Sequence, residues 1–159
     1  MAILRFFMLL SLVVWLGGLI FFAFMLAPTV FSGILPTRHM AGAVVNRSLT
    51  ALHWMGMVSG VVFAVTSMAY SYSTRGAAEP FAARHLLVYL MLGLTIVSQF
   101  GISPRMQALR TEMVVVDNVP QDDPRRVEFN RLHGWSSNLE KGVFVLGLAL
   151  LWLTARRLT

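Results

Sequence analysis

Residues 6–37 read FFMLLSLVVWLGGLIFFAFMLAPTVFSGILPT, thirty-two positions without an Asp, Glu, Lys or Arg. A helix of about 20 apolar residues crosses the ~30 Å hydrocarbon core of a bilayer, so this run is long enough to span one. Two further charge-free runs, Ser48 to Thr74 and His85 to Pro104, are also long enough to span, and the apolar stretch ending at Ala155 supplies a fourth. Composition agrees: 13% of the 159 residues are charged, against about 25% in ordinary soluble domains. The expected fold class is all-α, an integral membrane protein built as an antiparallel four-helix transmembrane bundle. The lipid bilayer is its first partner.

Punctuation sets the expected boundaries. The first helix runs from about Ile3 to Leu26 and stops before Ala27-Pro28, because proline disfavours helical geometry in the residue before it. The second covers about 38–72 and the third about 81–102. Within the loop at 103–123, "RMQALRTEM" places Met106, Leu109 and Met113 on one stripe with arginines opposite. That spacing predicts a short interfacial helix. Asp123 then caps, and Pro124 opens, a fourth helix over about 124–155. Residues 1–159 form a single domain without internal repeats. The first apolar run exceeds the roughly 7–15 residues of a signal-peptide core. It reads as a retained helix with no cleaved signal peptide, and the expected location is a bacterial inner (plasma) membrane.

The formal charge of +6 does not point to nucleic acid: between Arg105 and Lys141 six basic residues are matched by six acidic ones. The chain has no cysteine, which excludes disulfides and thiolate chemistry. No nucleophile elbow, phosphate loop, HExxH or paired-carboxylate motif occurs, so no enzymatic reaction is indicated. The ten methionines are spread along the chain as core filler would be.

Polar residues enter the membrane at one end. From Lys141 to Arg156 is about 21 Å of helix, too short to span, so the fourth helix borrows length from "HGWSSNLEK" and carries Glu140 inside the boundary. Call side A the face with both termini and the connection between the second and third helices. Helical rise puts His53 about 33 Å from Arg75 and therefore near side B, with His133. His85, next to Arg84, belongs to side A. His53 shares a stripe with Gly56, Gly60, Ala64 and Ser67, and Gly56-x-x-x-Gly60 is a close-packing pattern for membrane helices. Counting Lys and Arg gives five on side A and eight on side B, which nominally makes side B cytoplasmic.

The ligand-binding candidates are His53, His133, Ser137, Asn138 and Glu140, with Gln99 and Arg105 contributed by the third helix. Glu140 is expected to face the bundle interior and to pair with Ser137, His133, His53, Gln99 or Arg105. Three readings stand together at this point. The polar groups form a hydrogen-bonded structural cluster in a subunit that assembles with itself or a membrane partner. They line a pocket that binds, or helps move, a small solute or ion. Or they hold copper or haem, with His53 and His133 as the metal candidates, since imidazole suits those metals.

The stretches LAPTVFSGILP, SPRMQAL and DPRRVEFNRLHGWSSNLEKG occur in this order along the chain. With His133-Gly134-x-Ser136-Ser137, Asn138 and His53, they resemble the small four-helix membrane proteins typified by human transmembrane protein 205. There is a more distant similarity to copper-resistance D membrane proteins. The resemblance implies an integral four-helix fold and, through the human member's association with platinum-drug resistance, export or metal handling.

Overall fold

The computed structural model describes residues 1–156, with the side chain of Asp117 left aside; Arg157, counted above on side A, lies outside the described residues. Among the described residues the chain is helical, without strands. Four helices are long and apolar enough to cross a membrane: α1 (Ala2–Ile34), α2 (Arg38–Arg75), α3 (Ala83–Met113) and α4 (Pro124–Ala155). A 3-10 turn, Val116–Asn118, lies between α3 and α4.

The ends of these helices follow from local chemistry. The Thr37 hydroxyl accepts the Met40 N–H at 3.2 Å and starts α2, which ends at Gly76 in the left-handed conformation (φ 74°). A residue without Cβ is the ordinary choice there. Asp123 Oδ1 accepts the Arg125 N–H at 2.8 Å and starts α4. Hydrogen bonds from the Arg125 side chain and then its backbone hold the Asp123 carboxyl down at about 2. α4 runs unbroken from Pro124 to Ala155, through the whole polar segment.

Two helices are longer than expected. α1 does not stop before Ala27-Pro28: Ala27 is itself helical (φ −62°, ψ −49°), and the helix continues to Ile34. It ends only where Gly33 turns left-handed (φ 96°) and Leu35 extends. α3 does not stop at Ile102 but runs through Pro104, so the stretch expected as a separate short helix, Ser103–Met113, continues it directly. The reason is the same in both. Phe21–Leu26, Val30–Ile34 and Val97–Ile102 are π-helical. The wider turn shifts the carbonyl register next to each proline and relieves the clash that would otherwise end the helix. In α3 the Ser103 hydroxyl also donates to the Ser98 carbonyl at 3.0 Å.

The helices close into a ring. The Trp15 indole of α1 sits in the notch left by Gly56 and Gly60 of α2. A methyl group on Gly56 would lie 2.5 Å from its Nε1, and one on Gly60 would lie 2.7 Å from Cζ3 and 2.6 Å from Leu92 of α3. Gly147 of α4 receives Leu16 of α1 in the same manner. Arg5, near the start of α1, reaches the Tyr70 hydroxyl near the end of α2 at 2.7 Å. Leu12, Trp15, Phe63, Val88, Met91, Val143 and Leu150 fill the centre. Outward, Phe6, Val13, Val58, Val65, Leu90 and Trp152 are exposed. Water would penalise so apolar an exterior; lipid tails match it.

Candidate functional site

The side-B half of the ring holds a cluster contributed by three helices. His53 of α2 is 1% exposed. Its Nε2 lies 2.7 Å from Glu140 Oε1 of α4, and its Nδ1 lies 2.7 Å from Gln99 Oε1 of α3. The Ser98 hydroxyl donates to the same Glu140 oxygen at 3.3 Å. The sequence places these groups together by simple means. Gly56 lets α2 approach closely, so His53 one turn earlier points into the ring. The π-helical Val97–Ile102 presents Ser98 and Gln99 side by side.

The geometry suits two charge states. With the Gln99 oxygen toward the ring, both imidazole nitrogens face acceptors, and both donate when His53 is an imidazolium paired with the Glu140 carboxylate. Turning the Gln99 amide end for end offers an N–H to Nδ1 instead, and the ring is then neutral with Nε2–H donating to Glu140. Moving between these states takes one proton and one amide flip, without movement of the backbone.

Glu140 also faces a cavity of about 520 Å³. Its side chain is 17% exposed. Oε1 takes both hydrogen bonds described above, and Oε2 has no hydrogen-bond partner among the described residues. One wall of the cavity is apolar and comes from α1: Leu19, Phe22, Phe24 and Phe31. The facing wall carries Arg110, His133, Ser136, Ser137 and Lys141 beside Glu140. A cavity of roughly 300–1,000 Å³, mostly apolar with a few convergent polar groups, is the usual form of a small-molecule site.

The sequence candidates divide accordingly. His53, Gln99 and Glu140 meet directly, while Ser137 and His133 line the cavity beside them. His133 does not touch His53; its ring stacks on Phe129 with centroids 6.5 Å apart. Arg105 is elsewhere: its guanidinium takes Glu128 in a two-pronged pair at 2.9 Å and is exposed. Asn138 is exposed and is not among the residues lining the cavity. His85 belongs to a separate group, with Nδ1 donating to the Glu79 carbonyl at 2.8 Å and Nε2 at the Ser67 hydroxyl. Among the described residues no three His, Asp or Glu side chains gather as a metal site. Both His53 nitrogens are hydrogen-bonded, to Glu140 and to Gln99.

The candidate list lacked Ser98, Arg110, Ser136 and Lys141. Ser98 carried a signal, since it adjoins Gln99 in the side-B half of α3. Arg110 carried none, because a helix read as lying on the membrane surface has its arginines in water.

A family model matches residues 10–114, about two thirds of the chain. The chain belongs to that family, a domain of unknown function (DUF4149). The match takes in all of α2 and α3 and about three quarters of α1, with His53, Ser98, Gln99 and Arg110; Glu140 and the rest of α4 lie beyond it. No curated protein and no solved structure matches the chain.

Proposed function

We propose that this member of the DUF4149 family is a membrane-embedded binding protein. It takes a small solute or ion into the side-B cavity, with Glu140 as the ionisable group that the ligand or a proton meets. One observation carries the reading: a carboxylate inside a membrane helix, with one oxygen held by His53 and Ser98, lies on the wall of a 520 Å³ cavity. Ionisable groups within membrane spans characteristically mark solute pathways or proton relays. A purely structural cluster has no need of an open space beside it. The resemblance to the transmembrane protein 205 group, through its link to drug resistance, fits a protein that handles a solute.

Because the chain has no cysteine, single introduced thiols report on the cavity directly. Ser137→Cys, on the cavity wall, should react with N-ethylmaleimide in detergent-solubilised protein, while Met91→Cys, at 0% exposure in the core, should not. Native mass spectrometry should then show a co-purified small molecule that Ser137→Trp, which fills the cavity, removes. An unreactive Ser137→Cys variant, or a bound molecule indifferent to Ser137→Trp, overturns the proposal.

A further inference from the structure

A second cavity of about 190 Å³ adjoins the first: Phe31, Gly42, Arg110 and His133 line both. The smaller one adds Arg38, His39 and Phe129. Together the two spaces present three permanent cations, Arg38, Arg110 and Lys141, and a single carboxylate, Glu140, which is already bound to His53. None of the three cations forms an ion pair with a carboxylate among the described residues, whose ion pairs join His53 to Glu140, Arg75 to Glu79, Arg105 to Glu128 and Arg125 to Asp123.

Arg110 is half-buried and held in place from two sides. Its guanidinium lies over the Phe129 ring at 5.6 Å and fills the space above Gly42, where a methyl group would come within 2.5 Å of Nη2. His39 also lines the smaller cavity, and its Nδ1 is buried without a hydrogen-bond partner. A partly desolvated guanidinium without a counter-ion is costly. An anionic group beside Arg110 relieves that cost, and the planar donor fork of arginine matches phosphate and carboxylate. The opposite wall is hydrocarbon and aromatic ring.

We infer that the joined side-B cavities bind an anionic amphiphile, a single phosphate or carboxylate head on a hydrocarbon chain. Arg110 takes the head with Arg38 and His39 around it, and the chain lies along Phe22, Phe24 and Phe31. This rests on the reading of the larger cavity as a ligand site and gives that ligand its chemical class. A membrane phospholipid and a free alkyl acid share this chemistry.

The test uses the full chain in uncharged maltoside detergent and follows thermal unfolding. Dodecyl phosphate should raise the midpoint saturably, at concentrations at least about tenfold below any effect of dodecyltrimethylammonium. Inorganic phosphate at the same concentrations should do little, because it lacks the chain. Arg110→Gln should weaken the dodecyl phosphate effect by about tenfold or more, the loss expected for one charge-assisted hydrogen bond. Gly42→Ala should do likewise while keeping every charge, because it only displaces the guanidinium.

Equal potency of the two amphiphile charges, or full potency in both variants, overturns the inference. If a cationic or uncharged amphiphile binds instead and Ser137→Trp blocks it, the inference falls and the cavity-binding reading stands. If no amphiphile shifts the midpoint and the Ser137→Cys thiol is unreactive, both fall. Nanodiscs separate the sources. Competition that appears only when phosphatidylglycerol is added to phosphatidylcholine identifies a membrane lipid as the occupant, and undiminished dodecyl phosphate binding in both identifies a free amphiphile.

Discussion

Replacing Glu140 by leucine tests the central cluster most directly, and the structure sets the size of the effect. The substitution removes Oε1, the one acceptor that lies 2.7 Å from His53 Nε2 and 3.3 Å from the Ser98 hydroxyl. A buried donor stripped of its partner costs about 1–3 kcal/mol. Interhelical hydrogen bonds in membranes measure less, about 0.6 kcal/mol on average and 1.7 at most, because the unfolded chain in lipid also finds partners. The Ser98 bond is long for a hydroxyl donor and adds little. His53, at 1% exposure, cannot turn to water. The membrane scale governs, and Glu140→Leu should cost about 0.6–1.7 kcal/mol, lowering the midpoint by about 1–7 °C for a chain of this size.

Glu140→Gln keeps an oxygen for His53 and should cost less than about 1 kcal/mol. The decisive arm is the double variant. With His53→Leu added to Glu140→Leu, both partners of the 2.7 Å pair are gone, while Gln99 and Ser98 lose no more than in the single variants; the loss should therefore fall short of the summed single losses by about 1 kcal/mol. The assay is reversible unfolding in mixed micelles with increasing SDS. Additivity within about 0.3–0.5 kcal/mol would refute the account of the cluster as one coupled unit.

Other perturbations probe other parts of the structure. Gly56→Ala and Gly60→Ala each push a methyl group into the buried Trp15 indole, and such overpacking should cost about 1–3 kcal/mol in the same unfolding assay; Gly18→Ala meets only the mobile ends of Leu52 and Met55 and should cost less. Asp123, held at about 2 against an ordinary 3.8, contributes its cap fully above pH 4 and loses it as pH falls through about 2; the Arg125 amide proton should shift across that lower range by NMR, and a midpoint near 4 would contradict the cap. Asn138→Cys, on the exposed face of α4, should react with membrane-impermeant thiol reagents with or without Ser137→Trp, whereas labelling of the Ser137→Cys variant should be blocked by Leu19→Trp, which fills the same cavity.

Much of this architecture was legible because membrane solvent leaves few choices. Three charge-free runs of helical length and the apolar stretch ending at Ala155 marked four spans, and helical rise alone put His53 and His133 at one end with His85 at the other. Glu140 was readable as an inward group because fourteen residues from Lys141 to Arg156 cannot cross a bilayer. Its partners were not equally readable. Spacing on its own helix favoured Ser137 and His133, yet it is His53 and Ser98, from other helices, that bind it. Choosing among cross-helix partners requires the rotation of each helix about its axis, which Gly56, Gly60 and Trp15 determine together. Arg105, on the stretch of α3 beyond Pro104, pairs with Glu128 of α4 rather than with Glu140, a choice that also depends on helix rotation.

The misread prolines and the cavity have one origin. Pro28 and Pro104 punctuate the sequence as helix stops, and in a regular α-helix they would be. Here each sits beside a π-helical stretch, and all three such stretches lie at the side-B end of the ring. Those stretches supply the site: Phe22 and Phe24 from the first, Phe31 from the second, Ser98 and Gln99 from the third. A π-turn inserts a residue and rotates the following side chains relative to the α-helical pattern, which spoils regular interdigitation with neighbouring helices and leaves space. The side-A half, where α1 through α4 keep α-helical register, holds a smaller space of about 220 Å³ among Met8, Tyr70, Arg84 and Thr154, beyond a centre filled by Trp15, Phe63 and Met91. The side-B half, where α1 and α3 do not, opens a 520 Å³ cavity beside a carboxylate. Irregular backbone at membrane depth is tolerated where it is buried in protein or lines a cavity, and single π-turns concentrate at functional sites. The prolines that look like the ends of helices thus directly follow residues of the cavity wall, Ala27 and Ser103.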